Sequence, residues 1–80
     1  MDIINIRKII NNKILNNGFN LQNINDDTEL LKNGYLDSLD IVEIIMTLEE
    51  KREKRLYFNY EDHDKEIDIN WFYKISNQTY

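Results

Sequence analysis

Apolar residues recur every three or four positions along much of the chain, which is the spacing of one face of an α-helix. The first such stretch extends from Asp2 to Asn17, and Gly18 follows it at the position of a C-capping glycine. Its apolar stripe consists of Ile3, Ile6, Ile9, Ile10 and Ile14, with Leu15 beside it. Isoleucine favours strands, but the helical period outweighs that preference. We therefore predict an ordinary core helix over residues 2–17.

A second helix is predicted to begin at Ser38 and to end between Glu50 and Lys54. Asp37 is a good N-cap, because its carboxylate can accept hydrogen bonds from the first free backbone N–H groups. One face of this helix is aliphatic and should face the core: Ile41, Ile44, Ile45 and Leu48. The side that includes Ser38 mixes apolar and acidic residues: Leu39, Val42, Glu43, Met46, Glu49 and Glu50. An apolar strip rimmed by acids is typical of a docking surface.

The long connection before this helix, residues 19–36, is too apolar for a free linker. It contains Phe19, Leu21, Ile24, Leu30 and Leu31, so we expect it to lie over the helices. Gly34 is predicted to supply a backbone conformation that other residues rarely adopt. Tyr35 and Leu36 are predicted to be partly buried anchors. Ser38 would then lie in the first helical turn, beside the positive end of the helix dipole, where an anion is favoured.

A last helix is predicted to start after the N-cap Asp68 and to extend to Ser76. Its buried stripe would consist of Ile67, Trp71, Phe72 and Ile75, with Ile69 nearby. The apolar segment Leu56–Tyr60 has no second strand to pair with, so we interpret it as a connector. One short helical turn is predicted from Glu61 to Lys65 or Glu66.

The composition narrows the class of protein. Eighty residues without cysteine or proline favour a single all-α domain over residues 1–80, stabilised by its apolar core. The net charge of −5 argues against nucleic acid and favours partners with basic patches. No signal peptide and no membrane span are recognisable, so the expected location is the cytoplasm.

The segment from Gly34 to Glu50 resembles the phosphopantetheine attachment region of acyl carrier proteins. The resemblance rests on the string Gly34-x-x-Asp37-Ser38-Leu39-Asp40-x-Val42-Glu43, followed by Met46-x-Leu48-Glu49-Glu50. It implies that a phosphopantetheinyl transferase attaches 4′-phosphopantetheine from coenzyme A to Ser38. The arm would hold an acyl or aminoacyl cargo as a thioester and present it to ligase, synthase or transferase enzymes. The implied fold is a small antiparallel four-helix bundle with three long helices and one short one. The protein is expected to be a monomer.

The resemblance also implies roles for the neighbours of Ser38. Gly34, Asp37 and Leu39 belong to the attachment motif, and Asp37 would contact the magnesium-bearing site of the transferase. Charge toward basic partner surfaces would come from Asp40, Glu43, Glu49 and Glu50. The apolar centre of the docking surface would consist of Leu39, Val42 and Met46. The cargo stays open between fatty acyl, polyketide and amino acid, because the segment from Gly34 to Leu39 also resembles D-alanyl carriers.

Three alternatives concern the class of protein and its possible sites. The chain could be a helical interaction module without a prosthetic group that uses the same acidic and apolar face. An enzyme is not expected, because no nucleophile-elbow pattern is present and His63 is the only histidine that could act as a base. His63 lies among acidic residues, but a solvated turn is a better interpretation than a metal site.

The cluster from Lys51 to Arg55 also has two interpretations. It could complement the helix dipole, which we favour, or it could discriminate between partners. Carrier proteins usually have an aromatic or aliphatic residue near Arg52, so the chain departs from the family pattern there.

Overall fold

The computed structural model describes residues 2–53, 55–56 and 67–77. Within these ranges the chain forms three helices and no strand: α1 (Ile3–Asn16), α2 (Ser38–Arg52) and α3 (Ile69–Ser76). The expectation of an all-helical fold is confirmed for this part of the chain. The short helical turn predicted over residues 61–66, His63 within it, and the predicted connector beyond Leu56 lie outside the described residues. The fourth helix of the bundle therefore stays a prediction.

An aspartate caps the N-terminus of each helix. The carboxylates of Asp2, Asp37 and Asp68 accept hydrogen bonds from backbone N–H groups three residues further on, at 3.0, 2.8 and 2.7 Å respectively. These N–H groups have no acceptor inside their own helix, and such a cap is typically worth about 1 kcal/mol. The predicted caps Asp37 and Asp68 are confirmed, and α1 begins one residue later than predicted.

The C-terminus of α1 is closed by the predicted glycine. Gly18 has φ +92, in the left-handed region that glycine enters without strain. Its N–H donates to the carbonyl of Leu15 at 3.0 Å, and the N–H of Phe19 donates to the carbonyl of Ile14 at 3.3 Å. These two bonds form a Schellman motif, which stops the helix and turns the chain.

The core consists of aliphatic side chains from all three helices and from the segments between them. The predicted core face of α2 is confirmed, with Ile41, Ile44, Ile45 and Leu48 buried. Of the predicted α1 stripe, Ile6, Ile10 and Ile14 are buried, whereas Ile3 and Ile9 are half-buried and pack against the core. In α3 the buried apolar residues are Ile69, Phe72 and Ile75. Trp71, predicted for the buried stripe, is only half-buried and packs against the outside of the core. The register set by the Asp68 cap turns Ile69 inward instead.

The connection between α1 and α2 packs over the helices, as predicted. Leu30 and Leu36 are buried. The N–H of Leu30 donates to the carbonyl of Ile67 at 2.9 Å, so the connection is joined to the segment before α3. Arg7 of α1 pairs with Asp26, with 2.8 Å between Nε and Oδ1. Tertiary contacts thus hold the chain that leads into α2.

Candidate functional site

Ser38 is the first residue of α2, and it is exposed. The preceding chain turns at Gly34, whose φ of +77 is a conformation that L side chains rarely adopt. Leu36 is buried and Tyr35 half-buried, and the ring of Tyr35 packs edge-to-face on Phe19 with 5.2 Å between centroids. The predicted turn and anchors are therefore confirmed, and they fix the point at which the chain emerges to Ser38.

A capping box closes the start of α2. Asp37 Oδ1 accepts the N–H of Asp40 at 2.8 Å, and Asp40 Oδ2 accepts the N–H of Asp37 at 3.1 Å. Among the described residues, the N–H groups of Ser38 and Leu39 have no acceptor. The open end of α2 therefore presents two N–H groups and the positive end of the helix dipole beside the Ser38 hydroxyl. This arrangement favours a phosphate group esterified to that hydroxyl.

Asp40, which was predicted to contribute charge to docking, is buried at the start of α2, and its role in docking stays a prediction. The residue is only 9% exposed, and its carboxylate turns back toward the cap because it occupies the third position of the box. Asn17 Nδ2 donates to Asp40 Oδ2 at 2.9 Å, and Lys13 Nζ lies 3.6 Å from Oδ1. The negative charge of Asp40 therefore interacts with groups of the protein itself.

The pKa of Asp40 reflects two opposing effects. Burial acts to raise this pKa. The hydrogen bonds from the Asp37 N–H and the Asn17 amide, together with the positive charge of Lys13, outweigh burial and leave the pKa below its ordinary value. The ionised carboxylate of Asp40 is thus stabilised by its own hydrogen-bond donors and by Lys13.

The apolar residues predicted for the docking surface are exposed. Leu39 is 65%, Val42 41% and Met46 61% exposed, although each belongs to a helix whose opposite face is in the core. We call these three residues the apolar strip. An open depression beside the strip is lined by Glu43, Met46, Thr47, Glu49 and Glu50.

The three remaining acids of the predicted docking surface differ in what they contact. Glu43 is exposed and forms an ion pair with Lys13 of α1. Glu49 is half-buried, and its Oε2 accepts the N–H of Leu56 at 3.0 Å, which holds the chain after α2 against the helix. Glu50 is exposed, and its side chain has no partner among the described residues. The charge that faces solvent beside the apolar strip is therefore smaller than the sequence suggests.

Basic residues lie at the other end of α2. Lys51 and Arg52 belong to the last helical turn, where positive charge complements the dipole. Arg52 Nη1 also donates to Asn77 Oδ1 at 3.2 Å and so connects the ends of α2 and α3. Glu53 follows as the C-cap with φ 56 and ψ 34, a left-handed conformation for a residue with a side chain. These contacts give at least Arg52 a structural role.

Sequence reasoning did not assign Lys13 or Asn17 to the site. Both residues lie in or next to the last turn of α1, and both contact the first turns of α2. No sequence motif links them to Ser38, because twenty residues of irregular chain intervene. The only available signal was their place at the end of a helix that must pack beside α2.

The described part of the chain has neither a metal-binding cluster of side chains nor a helix suited to cross a membrane. No group of three or more histidine, cysteine, aspartate or glutamate side chains there could hold a metal ion. None of the helices has the length and hydropathy that crossing a membrane would require.

The chain was compared with protein-family models, curated proteins and solved structures. None of them matches it.

Proposed function

We propose that the protein is a carrier whose Ser38 is modified with 4′-phosphopantetheine. The proposal rests on one observation: Ser38 is exposed as the first residue of α2, where the N–H groups of Ser38 and Leu39 have no acceptor among the described residues. The sequence around Ser38 resembles the attachment region of acyl carrier proteins, which gives this geometry a specific chemistry. When bound, the arm supplies a thiol on which an acyl or aminoacyl cargo is held as a thioester.

The modification is a phosphoryl-group transfer to the Ser38 hydroxyl. Ser38 Oγ attacks the phosphorus that bears the pantetheine group of coenzyme A. The bond from that phosphorus to the bridging pyrophosphate oxygen breaks, and adenosine 3′,5′-bisphosphate leaves. The hydroxyl proton passes to a base of the transferase. The resulting phosphodiester bears one negative charge, which the open end of α2 stabilises by about 0.3–1 kcal/mol.

Asp37 is placed to serve both the helix and the transferase. Its Oδ1 accepts the N–H of Asp40, whereas no described residue donates to Oδ2. We propose that this second oxygen coordinates a magnesium ion of the transferase, which is the role that the resemblance implies. Asp37 would thus orient Ser38 through the cap and contact the transferase at the same time.

The apolar strip is the proposed contact surface for the partner enzymes. Leu39 directly follows Ser38, and Val42 and Met46 continue the strip along α2. Glu43 and Glu50 lie beside it and would meet basic groups on the partner. A small strip with a charged rim suits short-lived contacts, since a carrier must leave each enzyme in turn. Such a carrier would act in the cytoplasm as a monomer.

We further propose that the segment between Leu56 and Ile67 completes an antiparallel four-helix bundle. Leu56 and Ile67 are both buried in the common core, so the described chain lies in the core immediately before and after this segment. The measurement is the backbone chemical shifts of residues 57–66. Helical values over residues 61–66 would support the fourth helix, and extended values would contradict it.

Intact mass spectrometry tests the proposed modification. The protein is incubated with coenzyme A and a broad-specificity phosphopantetheinyl transferase. We expect wild-type protein to gain the mass of one phosphopantetheine and Ser38→Ala to gain nothing. The matched control is Thr47→Val, which removes another hydroxyl of α2 and should still be modified.

An unchanged mass of folded wild-type protein would contradict the proposal. It would favour the second candidate, an interaction module without a prosthetic group. The exposure of the apolar strip supports that candidate too, because the strip is available whether or not Ser38 is modified.

A further inference from the structure

Asn17, at the end of α1, forms hydrogen bonds on both sides of Ser38. Its Nδ2 lies 3.0 Å from the carbonyl oxygen of Tyr35 and 2.9 Å from Asp40 Oδ2. A side-chain amide nitrogen has two hydrogens, so one Asn17 side chain can make both bonds at once. The first bond holds the chain before Ser38, and the second holds the first turn after it.

The second bond of Asn17 also reaches the backbone of the attachment motif. Asp40 Oδ2, which accepts from Asn17, accepts the N–H of Asp37 as well, at 3.1 Å. Asn17 therefore orients the carboxylate that holds Asp37. Lys13, one turn earlier in α1, lies 3.6 Å from Asp40 Oδ1 and supports the same carboxylate. The last turn of α1 and the Asn17 that follows it thus hold the segment that contains Ser38 in position.

The two bonds of Asn17 act on groups that the other contacts of the segment from Tyr35 to Asp37 do not hold. The segment is irregular chain between the turn at Gly34 and the first residue of α2. Leu36 is buried and its N–H donates to the carbonyl of Leu30 at 3.1 Å, and the ring of Tyr35 packs on Phe19. These contacts do not include the carbonyl of Tyr35 or the carboxylate of Asp40, which Asn17 holds. The hydrogen bonds from Asn17 to the Tyr35 carbonyl and to the Asp40 carboxylate are directional, so they fix the orientation of these two groups.

We propose that Asn17 is a positioning residue for the modification of Ser38. This inference rests on the proposed function. Asn17 holds the segment around Ser38 in the conformation that the transferase binds, so the transferase does not have to order it. Without Asn17, the free-energy cost of ordering this segment would fall on the binding step. Binding of the protein to the transferase would then be weaker, whereas the rate of the chemical step would not change.

The test is the steady-state kinetics of phosphopantetheine transfer with the carrier as the varied substrate. Asn17→Ala removes both bonds. We expect KM to rise about tenfold while kcat stays within about twofold of wild type, which corresponds to loss of ordering in the free carrier. The matched control is Asn16→Ala, a neighbouring exposed asparagine with no hydrogen bond to residues 35–40. It should behave as wild type.

Loss of stability must be separated from loss of positioning. All assays are run at a temperature where circular dichroism shows each variant to be folded. If Asn17→Ala does not fold, Asn17→Ser takes its place, because serine keeps a donor but is too short to reach both acceptors. Asn17→Gln restores the amide and is expected to recover part of the lost affinity. Unchanged KM in a folded Asn17 variant, or equal increases in KM for the Asn17 and Asn16 variants, would overturn the proposal.

A second measurement distinguishes failure of this inference from failure of the proposed function. Amide hydrogen exchange of Asp37 and Asp40 is compared between Asn17→Ala and Asn16→Ala. Faster exchange only in Asn17→Ala shows that Asn17 orders the segment, and equal exchange contradicts this. If wild-type protein is not modified at all, the proposed function fails, and the role in modification fails with it. The exchange result then reports only on the order of the segment.

Discussion

At the scale of single residues, two aspartates show how neighbouring groups raise or lower the pKa of a carboxyl group. Asp40 and Asp68 both lie at helix starts and are both at least half-buried. Burial raises the pKa of Asp68, and the nearby carboxylates of Asp27 and Asp26 raise it further, against hydrogen bonds from the backbone N–H groups of Trp71 and of Asp68 itself. In Asp40 the surrounding donors outweigh burial. A negative charge is therefore stabilised at the start of α2 and disfavoured at the start of α3.

The lowered pKa of Asp40 predicts a dependence of stability on pH. Because the pKa in the folded state lies below the ordinary value of 3.8, ionised Asp40 stabilises the fold above that value. This contribution is lost as the pH falls through the folded-state pKa. We expect Asp40→Asn to lower the free energy of unfolding by about 1 kcal/mol at pH 7. The difference from wild type should shrink at pH 3 and below.

Urea unfolding followed by circular dichroism at pH 7 and at low pH measures this effect. The control is Glu50→Gln, which neutralises an exposed carboxylate of the same helix and should change stability little at either pH. A difference between Asp40→Asn and wild type that is the same at both pH values would contradict the assignment of the effect to ionised Asp40.

At the scale of elements, α2 has apolar residues on two opposite faces. Only one face packs in the core, and the other is the exposed apolar strip beside Ser38. Folding requires the first face, since burial of each aliphatic side chain contributes about 1.5–3 kcal/mol. The second face contributes no comparable burial, so its apolar character is explained better by contact with a partner than by stability.

The end of α2 gives a prediction that does not depend on function. Glu53 is left-handed with φ 56, a conformation that is strained for any residue with a Cβ, and its charge lies at the negative end of the helix dipole. We therefore expect Glu53→Gly to raise the free energy of unfolding by about 0.5–1 kcal/mol. Urea denaturation measures the change.

Glu53→Ala separates the two causes of this effect. Alanine removes the charge and keeps the Cβ, so Glu53→Ala should give only the smaller electrostatic part. Equal stabilisation by glycine and alanine would show that the backbone conformation costs nothing at this position.

At the scale of the whole molecule, some carboxylates are paired within the protein and others face solvent, where a partner could contact them. The net charge is −5, but Lys13 pairs with Glu43 and faces Asp40. Glu50 faces solvent beside the apolar strip without a partner among the described residues. Attraction to a basic enzyme surface should therefore depend on individual carboxylates rather than on the total charge.

The salt dependence of modification tests this view. Raising NaCl from about 0.05 to 0.5 M shortens the screening length severalfold, so the proposed function predicts that the KM of the transferase for this protein rises. Glu50→Gln should weaken this dependence more than Glu43→Gln, because Lys13 already offsets the charge of Glu43. The same dependence in both variants and in wild type would show that neither carboxylate guides the encounter.

The local features of the site could be predicted from the sequence. Asp37 and Asp68 were identified as caps because a capping aspartate acts within three residues, and the core face of α2 followed from its spacing. The role of Asp40 could not be predicted, because acidic residues on a helix look alike until their partners are known. Its partner Asn17 is 23 residues away in the chain. Trp71 is only half-buried because the register set by the Asp68 cap places Ile69 rather than Trp71 on the core side of α3.

By itself, the sequence determined where α2 and α3 begin, which faces of α1 and α2 enter the core, and that a serine opens α2. These features depend on interactions within one or two helical turns, so they can be deduced from residue types and their spacing. Only the tertiary structure decided that the end of α1 lies against the start of α2, where Asn17 and Lys13 turn Asp40 inward. The physical reason is that hydrogen bonds and ion pairs act over a few ångströms, and packing of the whole chain decides which distant residues come that close.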